Sequence, residues 1–160
     1  MRRTFIVLYL GVVSACAADE EVETTYDPCS PLTIALASDA TAAEVTGVEG
    51  AILAWTRVLP AQIVVGTGPQ AANVLPINFE SGDTFFRGIY WDGPGEIAIG
   101  RDQLDPEDYA LAIAHEMGHA FGLLHVAKTT RSSVMNVSNL EIAPNEEDAA
   151  EVRALWATCL

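Results

Sequence analysis

The chain has 160 residues, half of them hydrophobic, enough for one domain with a sizeable core. Twenty-two acidic side chains against eight basic ones give a formal charge of −14, and such a surface repels nucleic acid and anionic lipid headgroups alike. A nucleic-acid partner is excluded on that ground, and a membrane can be engaged only through a covalent anchor.

Residues 1–15 read as a signal peptide. Arg2 and Arg3 form a positive start, Phe5 to Val13 an apolar stretch too short to span a bilayer, and Ser14-Ala15 a small-residue cleavage zone. Val13-Ser14-Ala15-Cys16 further resembles a bacterial lipobox, which implies cleavage before Cys16 and lipidation of its thiol. The alternative is ordinary cleavage after Ala17 or Ala18, which discards Cys16. Either route exports the protein, as a cell-envelope lipoprotein or fully secreted. Without the signal, 6 basic and 22 acidic residues remain, a charge of −16.

Residues 16–30, with Asp19, Glu20, Glu21 and Glu23, read as an acidic tether, and residues 31–160 as the folded domain. Cys29 and Cys159 form an even pair in an oxidising compartment. A disulfide between them closes a loop of about 130 residues, for which loop-entropy models give ~4–5 kcal/mol.

Leu32 to Ala37 alternates weakly and predicts a strand. Thr41 to Leu59 places Val45, Val48, Ile52, Trp55 and Leu59 near helical spacing. Ala61 to Gly66 and Val74 to Phe79 are short β-branched runs bounded by glycine, proline and asparagine, which predicts two more strands. Phe85 to Trp91 and Glu96 to Gly100 flank the tight loop Asp92-Gly93-Pro94-Gly95. Asp105-Pro106-Glu107 predicts a helix start with proline in the first turn. A last helix follows Pro144, with Glu146, Glu147 and Asp148 near its positive end and Val152, Leu155 and Trp156 expected on the buried side.

The helix opened by Asp105 contains His115-Glu116-Met117-Gly118-His119-Ala120-Phe121-Gly122-Leu123-Leu124-His125. Histidines four apart stack on one helix face, so both imidazoles reach a single ion, and Glu116 beside the first is placed as a general base. Gly122 can take a left-handed backbone and end the helix, which lets His125 approach the same ion from another direction. Zinc held by three protein groups keeps its fourth position for water. The chain's three histidines all lie in this motif, so a second histidine-built metal site is excluded.

HExxHxxGxxH on these residues, followed ten positions later by Met135 in Ser133-Val134-Met135-Asn136, resembles the metzincin clan of zinc endopeptidases. The resemblance implies an α+β zincin fold: a twisted mixed sheet of four to five strands, two main helices including the active-site helix, a methionine turn and a C-terminal helix. It implies one catalytic zinc on His115, His119 and His125, Glu116 as base, Met135 packed beneath the ligands, and a peptide or protein substrate handled by a monomer. Substrate would lie extended along an exposed strand edge, expected at Glu96 to Gly100, beside a pocket walled in part by Val137 to Pro144.

Asp92-Gly93-Pro94-Gly95 resembles the matrixin loop that helps bind a structural calcium. Asp92, Gly93 and Gly95 are thus candidate calcium ligands, with Asp102 or Asp105 available to complete the set, and a plain hairpin turn is the alternative. Cys29 as a thiolate capping the zinc, as in matrixin propeptides, is the alternative to the disulfide. Val126 follows His125 and no tyrosine follows Met135, so the likeness is matrixin-like, short of a matrixin proper. Two competing readings stand beside the peptidase: a zinc hydrolase whose third ligand is Glu146 or Glu147, and a catalytically silent zincin-fold binding module at the cell surface.

Overall fold

A computed structural model describes residues 26–66, 73–82 and 84–159; the expected signal peptide, Cys16 and most of the expected tether lie outside the described residues. Five strands form one mixed sheet: β1 (Leu32–Leu36), β2 (Ile63–Gly66), β3 (Val74–Glu80), β4 (Gly88–Trp91) and β5 (Glu96–Gly100). Their spatial order is β2-β1-β3-β5-β4, parallel throughout except for β4, which runs antiparallel to β5 at one edge. Three α-helices complete the α+β architecture: α1 (Ala42–Thr56), α2 (Tyr109–Ala120) and α3 (Glu146–Leu155). No helix among the described residues is long and apolar enough to cross a membrane.

Strand period does the sorting. Leu32 and Ile34, Leu75 and Ile77, and Ile97 and Ile99 occupy alternate positions on three neighbouring strands and are completely buried in one core with α1 and α2. Phe85 to Arg87, expected to extend β4, is irregular, and Phe85 is 94% exposed.

Helix α1 starts on a capping box, in which Thr41 accepts from the Glu44 amide and Glu44 reaches back to the Thr41 amide. It ends at Thr56, and a turn carries the chain on to buried Leu59, shortening the expected Thr41–Leu59 helix. Its inner face is Glu44, Gly47, Val48, Ala51 and Trp55, so small residues, more than an apolar stripe, define it. A Cβ at Gly47 would sit 2.6 Å from the Tyr109 Cβ and one at Gly50 2.9 Å from the Ala110 Cβ. These two glycines let α1 lie directly on α2. At the far end Trp55 donates its indole N–H to the Ala114 carbonyl (2.9 Å) and meets Phe121 edge-on at 5.2 Å.

The expected start of the active-site helix needs correction. Pro106–Asp108 form a 3-10 turn, α2 begins only at Tyr109, and the Asp105 side chain makes no capping hydrogen bond, because the tight turn already closes through the Asp108 amide on the Asp105 carbonyl (2.9 Å). Helix α3 is capped by Asn145 and Asp148 in a reciprocal box. Leu155, expected inside, is 50% exposed; Trp156 lies past the helix end, half-buried, with its indole N–H on the Phe121 carbonyl. Cys29 and Cys159 are joined, their Cα atoms 5.1 Å apart, which ties the start of the domain to the end of the chain. The thiolate-cap alternative for Cys29 is thereby overturned, since its sulfur is already bonded.

Glu44 is buried, and burial alone would raise its pKa; the Arg101 guanidinium at 2.6 Å and the Thr41 amide outweigh that and hold it below the ordinary carboxylate value. A depressed carboxylate stabilises the fold above its unfolded pKa near 4.5 and loses that contribution as pH falls through its lower folded value. Replacing Arg101 by Met strands Glu44 and is expected to cost about 3 kcal/mol near neutrality. Urea unfolding across pH should show the gap between wild type and R101M narrowing below about pH 4.

Candidate metal centre

Helix α2 runs beneath the sheet edge with its last two turns facing β4. His115 and His119, one turn apart, project from one face, and both are buried. The helix then stops as the sequence predicts. Gly122 takes φ 95°, its amide donates to the His119 carbonyl (2.8 Å), and the Leu123 amide donates to the Gly118 carbonyl (2.9 Å), the paired bonds of a Schellman turn. The reversed chain brings His125 over the helix, and Val126 pins it there by donating to the Met135 carbonyl (2.9 Å).

The three imidazoles converge. His125 Nε2 lies 3.2 Å from Nε2 of His115 and 3.2 Å from Nε2 of His119. The other ring nitrogens of the helix pair face carbonyl oxygens, His115 Nδ1 on Val134 (2.7 Å) and His119 Nδ1 on Leu123 (2.9 Å). A carbonyl only accepts, so each Nδ1 must carry the proton and each Nε2 presents a lone pair. His125 has at most one proton at Nε2, and one proton cannot point straight at both neighbours. At least one short N···N contact therefore lacks a well-aligned proton, an arrangement that a cation between them relieves. Nitrogens bound tetrahedrally at about 2.0–2.1 Å would stand about 3.3 Å apart, close to the spacing found. The three residues could hold a metal ion.

Electrostatics agree with that use. Burial, reinforced by the neighbouring His115, pushes His119 down to about 4, and burial also lowers His115, so the neutral, electron-pair-donating form of both rings is favoured. Glu116 is buried beside them, and desolvation pushes it up to about 8 against one hydrogen bond from the Tyr90 amide. A nearby dication would reverse that shift.

Beneath the ligands Met135 is fully buried, and a Cβ on Gly118 would stand 2.3 Å from its sulfur. Gly88 has the same relation to Glu116, since a Cβ there would lie 2.8 Å from its Oε1. Sequence reasoning missed both glycines. Gly118 sits inside the motif, yet only the path of the methionine turn explains it.

The turn itself is held by Asp148 from α3, which has no exposed surface. Its carboxylate accepts from Arg131 (2.6 Å), the Ser133 hydroxyl, the Val134 amide (3.1 Å) and the Asn145 amide (3.1 Å). Glu146 and Glu147, the alternative third ligands, are exposed on α3 and face Arg153 and Arg131 instead. They do not join the histidines.

The three aspartates considered for calcium each have their own surroundings. Asp92 accepts from its neighbour's Gly93 amide (2.8 Å), the Gly95 carbonyl takes the Tyr26 hydroxyl, and Asp102 accepts from the Gly82 amide (2.7 Å). Asp92, Asp102 and Asp105 form no carboxylate cluster among the described residues, and Asp92 to Gly95 is a hairpin turn with Gly95 at φ 69°.

The open sheet edge is also relocated. Glu96 to Gly100, expected to be exposed, is β5 and lies between β3 and β4. The hairpin folds β4 back on the outside, so Gly88–Trp91 forms the edge above the histidines. The Gly100 amide donates to the Arg87 carbonyl (2.9 Å), and alternation along an antiparallel pair then turns the main-chain groups of Gly88 and Tyr90 outward. Edge, histidines and the 137–140 segment enclose an open cleft of about 880 Å³. Comparison with protein-family models and with the curated proteins gives no match for this chain.

Two outcomes follow from the packing and the charge. G118A forces Met135 aside, and the overpacking is expected to cost about 1–3 kcal/mol in chemical denaturation. Glu116 is raised in the folded state, so in the presence of chelator its contribution is complete below about 4.5 and lost as pH rises through about 8. Metal-free wild type should therefore lose stability relative to E116Q between those values, and equal pH profiles for the two proteins would refute the assignment.

Proposed function

We propose that this chain is an exported zinc-dependent endopeptidase of metzincin-like fold. The observation that carries the reading is the convergence of three imidazole Nε2 atoms beside the buried Glu116 carboxylate, under an open strand edge. An all-imidazole donor set of this spacing suits zinc with one position left for solvent. Bound there, zinc would supply Lewis-acid polarisation of a peptide carbonyl and a water of lowered pKa.

The chain's own residues divide the remaining work. The Gly88 main chain and the Tyr90 carbonyl point outward, where an extended peptide adds as a further strand, and the missing side chain at Gly88 lets that peptide come close to Glu116. Glu116 takes the proton from the attacking water and returns it to the leaving nitrogen. The Tyr90 amide fixes the carboxylate while it does so. Met135 packs under the ligand helix and takes no chemical step. Export rests on residues 1–15, with Cys16 as the proposed lipid attachment point, and the Cys29–Cys159 bond suits an oxidising compartment.

The purified domain should carry one zinc per chain and cleave a denatured protein. Chelator should abolish cleavage and added zinc restore it. E116Q should retain the metal and lose about 10²–10⁴-fold in kcat/KM. A wild type that takes up no zinc, or an E116Q variant of full activity, ends this reading.

A further inference from the structure

We propose that Asn139 is a positioning residue that couples the cleft wall to the metal centre through the Val134 carbonyl; the inference rests on the zinc reading above. That carbonyl accepts the His115 ring N–H at 2.7 Å and the Asn139 Nδ2 at 3.2 Å. The same peptide unit is held at its other end, where the Met135 amide donates to the Ser133 hydroxyl (2.9 Å), which itself donates to Asp148. One peptide plane thus sets the direction and tautomer of a metal ligand, and Asn139 is one of its few holders.

The amide's other bonds all go to the wall. Asn139 Oδ1 accepts from the amides of Glu141 (3.2 Å) and Ile142 (2.9 Å), and Nδ2 also donates to the Ile142 carbonyl (2.6 Å). With its acceptor and donor atoms assigned by these partners, the buried side chain serves as the hub around which residues 139–142 wrap. Ser138 before it adopts φ 56°, a left-handed conformation unusual for serine, and Val137, Ser138 and Leu140 line the cleft. A side chain entering the pocket pushes on this wall. The displacement reaches the Val134 carbonyl through a single rigid amide group, so pocket occupancy and hold on the metal are linked, and linkage is reciprocal.

The test measures zinc affinity by chelator competition, the visible spectrum of the cobalt-substituted protein, and zinc release with and without a non-cleavable peptide. N139A removes every bond of the hub. N139D keeps the oxygen that accepts the two wall amides and removes the donor that serves the Val134 and Ile142 carbonyls. Both are expected to bind zinc about 10–100-fold more weakly, with a shifted cobalt spectrum. Peptide should slow zinc release from wild type and leave release from N139D unchanged. L140A alters the wall alone and should change peptide selectivity while zinc affinity stays within twofold. Where N139A fails to fold, N139D decides. If wild type holds zinc and N139D holds it equally well with an unchanged spectrum, the coupling is overturned and the peptidase reading stands; if wild type takes up no zinc, both fall.

Discussion

Two backbone carbonyls decide whether this chain can present a metal site. Val134 and Leu123 each take a ring N–H from a histidine of α2, and that choice leaves the two Nε2 lone pairs pointing at a third imidazole. Neither carbonyl is in the helix that bears the ligands. Leu123 is placed by the Schellman turn at Gly122, and Val134 by a peptide unit anchored on Ser133 and, through Asp148, on α3. The site is therefore a property of the tertiary fold, although its three ligands occupy eleven consecutive residues.

Close approach is the second requirement, and missing side chains satisfy it. Gly47 and Gly50 seat α1 against α2, Gly118 seats the helix on Met135, and Gly88 admits the Glu116 carboxylate under β4. A methyl group at any of these positions would meet an atom at 2.9 Å or less. Glycine in a helix interior costs roughly 1 kcal/mol against alanine. Three such sites in two helices show that the packing distance outweighs helix propensity in this domain.

The legible and illegible parts of the sequence divide along the same line. The clustering of the three histidines, the helix stop at Gly122 and the burial of Met135 could be read because each depends on local geometry: helical spacing, a left-handed glycine, an apolar residue in a turn. Strand β1 showed in its weak alternation, β2 and β3 in short β-branched runs between turn residues, and β4 and β5 in the tight loop they flank. What failed depends on contacts between distant segments. The order of β4 and β5 in the sheet is a choice of hairpin packing, which leaves no mark on period-two patterning, so the open edge was assigned to the wrong strand. Asp105 looks like a cap, but the tight turn after it already satisfies the Asp108 amide. Asp148 reads as one acidic residue among three at a helix start, while its four hydrogen bonds to the methionine turn and its surroundings depend on where α3 docks. Asn139 carried no sequence signal, since an asparagine in a loop is ordinary until its partners are known.

The charge arrangement joins these points into one argument. Interior burial disfavours charge on His115 and His119 and on Glu116 at once, so the fold gathers polar groups that resist ionisation inside an acidic protein. Such a cluster is expensive to form, and a single His125 proton cannot satisfy both N···N contacts in good alignment. The fold must therefore be held by other means before any ion arrives. The Cys29–Cys159 bond, which closes a separation of 130 residues, and the Arg131–Asp148 pair beneath the methionine turn are both independent of the ring nitrogens that face the ion. A scaffold stabilised in this way can keep the three imidazoles together by itself. The cost of assembling the cluster is then met by the fold, and the binding energy of any cation it takes up would be left to hold that cation.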